Sequence, residues 1–148
     1  MACSFSHIQL YERSIYYGHE EILILEDDAT PCPDFMKRFE ESYSQLPSDY
    51  NLCYLGGSNI MQPEMITENV GKAINTKSTV GYLIKTSFAA TLIPFIKQNL
   101  RKLCIDELLT NVQQQALIHI FNPRLVHQYE SYSDILGRDI YYHWMRDI

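Results

Sequence analysis

Apolar and polar positions along this chain follow two periods, and the switches between them divide it into helices and short strands. Ile8, Tyr11 and Ile15 recur at near-helical spacing, so residues 6 to 17 predict a helix that Ser6 caps and Gly18 ends. Ile22 to Leu25 are four consecutive apolar residues, too few for a free-standing helix. They predict a strand buried on both faces, the usual appearance of a parallel strand. Pro33 suits the first turn of a second helix and Asp34 favours its dipole, with Phe35, Met36, Phe39, Tyr43 and Leu46 on one stripe and Pro47-Ser48-Asp49 as the stop. Leu52 to Leu55 predict a second buried strand, closed by Gly56-Gly57-Ser58, where a backbone turns sharply or comes close to a ligand.

Residues 59 to 68 show no clear period and predict a loop. Gly71 to Asn75 and Thr79 to Ile84 predict paired strands joined across Thr76-Lys77-Ser78, with Tyr82 inside the second. Thr86 opens a helix that turns Phe88, Leu92, Ile93 and Ile96 inward, and Pro94 predicts a kink or restart within it. A further helix runs from Ile105-Asp106-Glu107 to about Gln115, and Leu117 to Phe121 return as a strand broken by Asn122-Pro123. Tyr141, Tyr142 and Trp144 in the polar, aromatic tail suggest a last docked segment. No internal repeat is present, and this order of elements predicts a single α/β layered domain over residues 1 to 148.

The strand at Ile22 to Leu25 runs directly into Glu26, Asp27 and Asp28. If the extended geometry persists, Glu26 and Asp28 share one side and Asp27 takes the other. Two carboxylates roughly 5 Å apart repel by about 3 kcal/mol at an effective dielectric of 20, a cost relieved by protonation, solvent or a cation. A divalent metal is the productive solution, and ligands of open α/β sheets bind beyond the carboxyl ends of the strands. The plainer alternative is a solvated loop start. Two other known patterns fit less well. A receiver domain needs a second strand ending in an aspartate, whereas Leu52 to Leu55 end in glycines. A haloacid-dehalogenase-like phosphatase needs Asp-x-Asp-x-Thr, and Glu26 stands where its nucleophile belongs, its extra methylene displacing the attacking oxygen.

Charge and cysteine usage narrow the choice further. A net charge of −6 with no Lys/Arg cluster argues against nucleic acid as a partner. No apolar run approaches the roughly 18 residues of a transmembrane segment, and Met1-Ala2-Cys3-Ser4 lacks the regions of a signal peptide, so a cytoplasmic location is expected. Cys3, Cys32, Cys53 and Cys104 form no Cys-x-x-Cys, which predicts free buried thiols. Eleven tyrosines are many for this length, and they suit either core and rim packing or the lining of a sugar site.

The motifs, weak one by one, come in a specific order. Ala2-Cys3-Ser4-Phe5-Ser6-His7, Ile24-Leu25-Glu26-Asp27-Asp28-Ala29 and Tyr54-Leu55-Gly56-Gly57 are followed by Thr79-Val80-Gly81-Tyr82-Leu83-Ile84 and Ile105-Asp106-Glu107-Leu108-Leu109. Asn122 to Gln128 and Ser133-Asp134-Ile135 close the series. This order resembles glycosyltransferase family 25, which contains lipooligosaccharide glycosyltransferases and procollagen galactosyltransferase domains. The resemblance implies a partial GT-A-like layered sheet with flanking helices, a nucleotide-diphospho-sugar donor, a glycan or glycoprotein acceptor, and Mn²⁺ or Mg²⁺ as cofactor. It makes Asp28 the first choice of metal ligand, Glu26 and Asp27 contacts to the sugar or around the metal, and His127 either a third ligand or a rim residue.

For the general base of an inverting transfer it points to Asp106, then Glu107, with a helix cap as the alternative role for Asp106. Ser6, His7, Gly57 and Tyr82 are candidate substrate contacts. His7 serves a phosphate, a sugar or packing, and Tyr82 packs or stacks on sugar. Family members carry a strand and helix ahead of the Cys-x-x-Ser-His motif, and here Met1 stands almost directly before it. An exposed sheet edge, self-association or a complementing chain is therefore expected, and the alternative function is an inactive remnant that binds sugar or a partner.

Overall fold

A computed structural model describes residues 2–128, together with the backbone of 131–133 and 138–140. The segment carrying Tyr141, Tyr142 and Trp144, and the Asp134-Ile135 part of the closing motif, lie outside the described residues. A six-stranded mixed sheet runs in the order β1 (Glu21–Leu25), β6 (Thr76–Lys85), β3 (Leu52–Asn59), β7 (Ile118–Phe121), β5 (Val70–Lys72), β4 (Glu64–Met65). Two short antiparallel ribbons accompany it: β2 (Ala29–Pro31) with β8 (Val126–Gln128), and β9 (Ser131–Ser133) with β10 (Arg138–Ile140). Among the described residues the helices are α1 (Ala2–Tyr17), α2 (Phe35–Tyr43), α3 (Thr86–Asn99) and α4 (Ile105–Val112).

Both faces of the sheet are covered, so the chain is the layered α/β structure expected. Strand alternation sends Leu52 and Tyr54 of β3 into one core with Ile8, Tyr11, Leu92, Ile96, Leu108 and Leu109 of the helices. Cys53 and Leu55 enter the opposite core with Phe121, Val126 and the inner side of α2, Phe35 and Phe39. Burial of these side chains, worth about 1.5–3 kcal/mol each, is what holds the short elements in place. Among the described residues, no helix is long and apolar enough to cross a membrane.

Several elements differ from expectation. The apolar run 22–25 is not a parallel strand buried on both sides. It is the edge strand, pairing antiparallel with β6 alone, and Leu23 and Leu25 are 42 % and 44 % exposed. A short apolar run looks the same in either setting, because periodicity does not report how many neighbours a strand has. Residues 71–75 and 79–84 do not form a hairpin either. β5 pairs with β7 and β4, and β6 sits between β1 and β3.

The helix expected from Ser6 begins at Ala2, so Ser6 does not cap it; its hydroxyl bonds back to the Ala2 carbonyl. Asp34, at the start of α2, takes a left-handed backbone conformation. α3 is one continuous helix through Pro94. All four cysteines are free, but only Cys32 and Cys53 are buried; Cys3 and Cys104 are exposed near helix starts.

The glycines give the largest correction. Gly56 and Gly57 do not close a strand but lie within β3, where the pairing with β6 is irregular between Tyr54, Gly56 and Ser58. A Cβ on Gly56 would sit 2.0 Å from the Val126 carbonyl oxygen, and one on Gly81 would sit 2.8 Å from the Val126 side chain. The close approach that glycine permits is therefore made by the chain's own β8 rather than by a ligand. Leu125 donates its amide to Leu55 O at 2.7 Å and Cys32 donates to Leu125 O at 2.8 Å, so the segment is stitched to β3 and then to the residues after β2. Gly56→Ala is expected to cost about 3 kcal/mol or more, since a backbone atom blocks the space and overpacking alone costs about 1–3. Gly18→Ala, which meets no neighbour but has φ +69°, is expected to cost about 1–2 kcal/mol. Urea unfolding of the two variants measures the difference.

Candidate active site

The acidic stretch is a tight turn, not an extension of the strand. The amide of Glu26 still donates to Val80 O at 3.0 Å, and the amide of Ala29 then donates to Glu26 O at 3.1 Å, turning the chain into β2. This turn separates the three acids. Glu26 is directed at α1, Asp28 is directed at β8, and Asp27 is exposed.

Glu26 meets the N-terminal half of α1. Its Oε1 lies 3.5 Å from His7 Nε2 and 3.9 Å from Cys3 Sγ, and accepts from Thr79 Oγ1 at 2.5 Å. Cys3 and His7 are four apart on the helix and share a face. His7 is buried, its ring stacked on Tyr82 with Nδ1 2.6 Å from the Tyr82 hydroxyl, which is in turn 2.6 Å from the Tyr11 hydroxyl. Burial pushes the Tyr11 and Tyr82 phenols well above their ordinary values, so both remain neutral. Burial also acts to raise Glu26, but hydrogen bonds from His7 and Thr79 together with the His7 charge outweigh it, and the carboxyl is held below its ordinary value.

Asp28 has the opposite balance. Gln128 donates to its Oδ2 at 2.6 Å, while Oδ1 is buried and accepts no hydrogen bond. Burial raises this carboxyl, Gln128 lowers it, and the neighbouring Glu26 and Asp27 charges raise it further, with a net upward shift. The β2–β8 ladder sets Ala29 opposite Gln128 and Thr30 opposite His127, whose Nδ1 is also buried without a partner. The orphaned Asp28 carboxylate oxygen is a Lewis base without a proton donor, the donor chemistry a hard divalent cation takes, and His127 Nδ1 can add a nitrogen donor in the tautomer that carries its proton on Nε2.

The remaining residues are distributed around these two clusters. Cys104 caps α4, and Glu107 closes the capping box by accepting from the Cys104 amide and thiol. Those bonds hold the exposed Glu107 carboxyl below its ordinary value. Asp106 is not the cap. Partial burial, then the charges of Glu26 and Asp106, raise the Cys3 thiol to about 11, and Asp106 also bonds to the Cys104 thiol. Gly57 is buried against the Lys77 backbone and Thr76, and Tyr82 is fully buried in the hydroxyl network. Ser6 is exposed on α1. A cavity of about 600 Å³ lined by Met61, Lys72, Asn75, Asn111 and Gln114 contains none of these acids, so the site is defined by the side chains themselves. Sequence reasoning missed Cys3, Tyr11, Thr79 and Gln128. The i,i+4 spacing of Cys3 and His7 was the one available signal.

The family model described as glycosyltransferase family 25 (LPS biosynthesis protein) matches residues 1–109. That span is most of the 148 residues, and the chain belongs to this family. It includes Cys3, His7, the acidic turn, Gly56-Gly57, Tyr82 and Asp106, and stops before β8. No curated protein matches the chain.

Two expectations test this geometry. Tyr82→Phe strands His7 Nδ1 and the Tyr11 hydroxyl in the core and is expected to cost about 1–3 kcal/mol by urea unfolding. Asp28 has a raised folded-state pKa, so its contribution is fully present below the unfolded carboxylate value of about 3.9 and is lost as pH rises through the folded value. Asp28→Asn is therefore expected to raise the unfolding midpoint at pH 7, with the advantage vanishing in acid. An equal midpoint at pH 7 would contradict the strained carboxylate.

Proposed function

We propose that this chain transfers a hexose from a nucleotide-diphosphate sugar to a hydroxyl of a glycan or glycoprotein acceptor, with inversion and with Mn²⁺ or Mg²⁺ as cofactor. Family membership supports the reaction class. The single observation that carries the site is the buried, unpartnered Asp28 Oδ1 beside a ribbon whose His127 Nδ1 is equally unpartnered. Asp28 and His127 would hold the cation, which supplies charge neutralisation for the diphosphate as it departs. Gln128 fixes Asp28 through its other oxygen and leaves Oδ1 available.

Asp106 is assigned the proton of the acceptor hydroxyl. Both acids of the first turn of α4 reach the Cys104 thiol, and Asp106 is preferred because Glu107 also closes the capping box on the Cys104 amide. Asp27, exposed at the tip of the turn, is free to meet the sugar. The reaction is placed in the cytosol, and a second chain adding to the open edge of β1 is the natural mode of association.

Turnover of UDP- and GDP-sugars, with and without Mn²⁺, tests the reading. Asp28→Ala is expected to lower turnover by at least about 100-fold, the scale of losing a charge-stabilising group. Asp106→Asn is expected to lower kcat with little change in KM. Wild-type turnover in Asp28→Ala would refute the site. Nucleotide binding that ignores Mn²⁺, with glycan binding retained, would favour a non-catalytic sugar-binding role.

A further inference from the structure

We propose that Cys3, His7 and Glu26 form a second cation site, separate from Asp28, that takes a zinc-class divalent ion through Cys3 Sγ, His7 Nε2 and Glu26 Oε1. Among the described residues, this is the group of three His, Cys or carboxylate side chains whose ligand atoms all lie within 4.8 Å of one another. Tetrahedral zinc, with bonds of about 2.3 Å to sulfur and about 2.0–2.2 Å to nitrogen and oxygen, requires ligand atoms roughly 3.3–3.7 Å apart. The separation of 3.5 Å from Glu26 Oε1 to His7 Nε2 falls in that range, that of 3.9 Å to Cys3 Sγ is slightly wider, and all three atoms lie within 4.8 Å, so closure around an ion takes a shift of the exposed Cys3 side chain. A direct charge-assisted His–carboxylate bond would be shorter, about 2.7–2.9 Å, so the gap between His7 and Glu26 is wide for an ion pair and suited to an ion between them.

The outer contacts also match a metal site. The Tyr82 hydroxyl accepts from His7 Nδ1 when Nε2 is the ligand and passes its own proton to Tyr11, so the ring is held in the required tautomer. Thr79 donates to the same Glu26 Oε1 and fixes the direction of the lone pair that remains for the ion. A nucleophilic role for Cys3 fits poorly, because partial burial and then the charges of Glu26 and Asp106 favour the protonated thiol. The same negative surroundings favour a cation. Binding converts the Cys3 thiol to a thiolate, its proton passing to solvent, and takes His7 in the tautomer that carries its proton on Nδ1. Cys3 is exposed, which gives the ion a way in and leaves the fourth position to water. The ion would join the first turns of α1 to the end of β1.

Cobalt titration of the chelator-stripped full chain, under a non-thiol reductant, reads this site directly. A thiolate charge-transfer band and the intense visible bands of four-coordinate cobalt are expected to saturate together at one equivalent of Co²⁺ per chain at this site, both displaced by Zn²⁺. Asp28→Ala is expected to keep both bands, which separates this site from the sugar-nucleotide reading. Cys3→Ser is expected to lose the charge-transfer band. Tyr82→Phe, a positioning change, is expected to weaken Zn²⁺ binding by about 10–100-fold while circular dichroism remains native. Zn²⁺ should also slow alkylation of Cys3 and leave the equally exposed Cys104 unprotected. Cobalt binding without a thiolate band, loss of that band in Asp28→Ala, or undiminished alkylation of Cys3 in Zn²⁺ would overturn the proposal.

Discussion

The passage of β8 over Gly56 and Gly81 is the constraint on which the acidic site depends. No side chain fits where the Val126 carbonyl approaches β3, and only because both positions are glycine does the segment lie against the sheet. Once there, it pairs with β2 and brings Gln128 and His127 beside the turn that carries Asp28. A sequence-distant strand thus completes a site begun a hundred residues earlier. The gain from packing Val126 and Leu125 into the second core offsets the ordering of this long return.

Around that constraint the acidic turn serves two opposed environments. Glu26 meets Thr79, His7 and Cys3 through its Oε1 and is held below its ordinary value, whereas Asp28 is left with one oxygen unsatisfied and is shifted upward. The turn thus gives two neighbouring carboxyls opposite tendencies to ionise, and the difference comes from their partners rather than from the residues themselves.

Much of this was legible in the residues. The helical periods of α1 to α4 and the apolar runs of β1, β3 and β7 gave the layered class, and the ordered motifs gave the family. What failed was non-local. The run Ile22 to Leu25 carries no sign of being an edge, and Gly56-Gly57 reads as a terminator because its partner, Val126, lies far along the chain. The pairing of β6 with β1 and β3, in place of a hairpin with 71–75, is likewise set by tertiary packing rather than by turn chemistry. At the site, the alternation argument grouped Glu26 with Asp28, but the hydrogen bond from Ala29 to Glu26 bends the chain before the pattern can continue. The fate of Gln128 and Tyr82 depended on partners 100 and 75 residues away.

β1 is fastened at both extremities by glutamates. Glu21 accepts from Tyr50 and from Lys85, and Tyr43 also bonds to it, while Glu26 is gripped by Thr79 and faces His7. A strand with one neighbour is free in principle to slide along it, and a shift of a single residue would swap its inner and outer faces. Here such slippage would tear out two anchors together, so the strand is indexed like a ruler pinned at either end. Its last mark, the start of the acidic turn, is thereby kept at a fixed height above the sheet without any second strand to brace it.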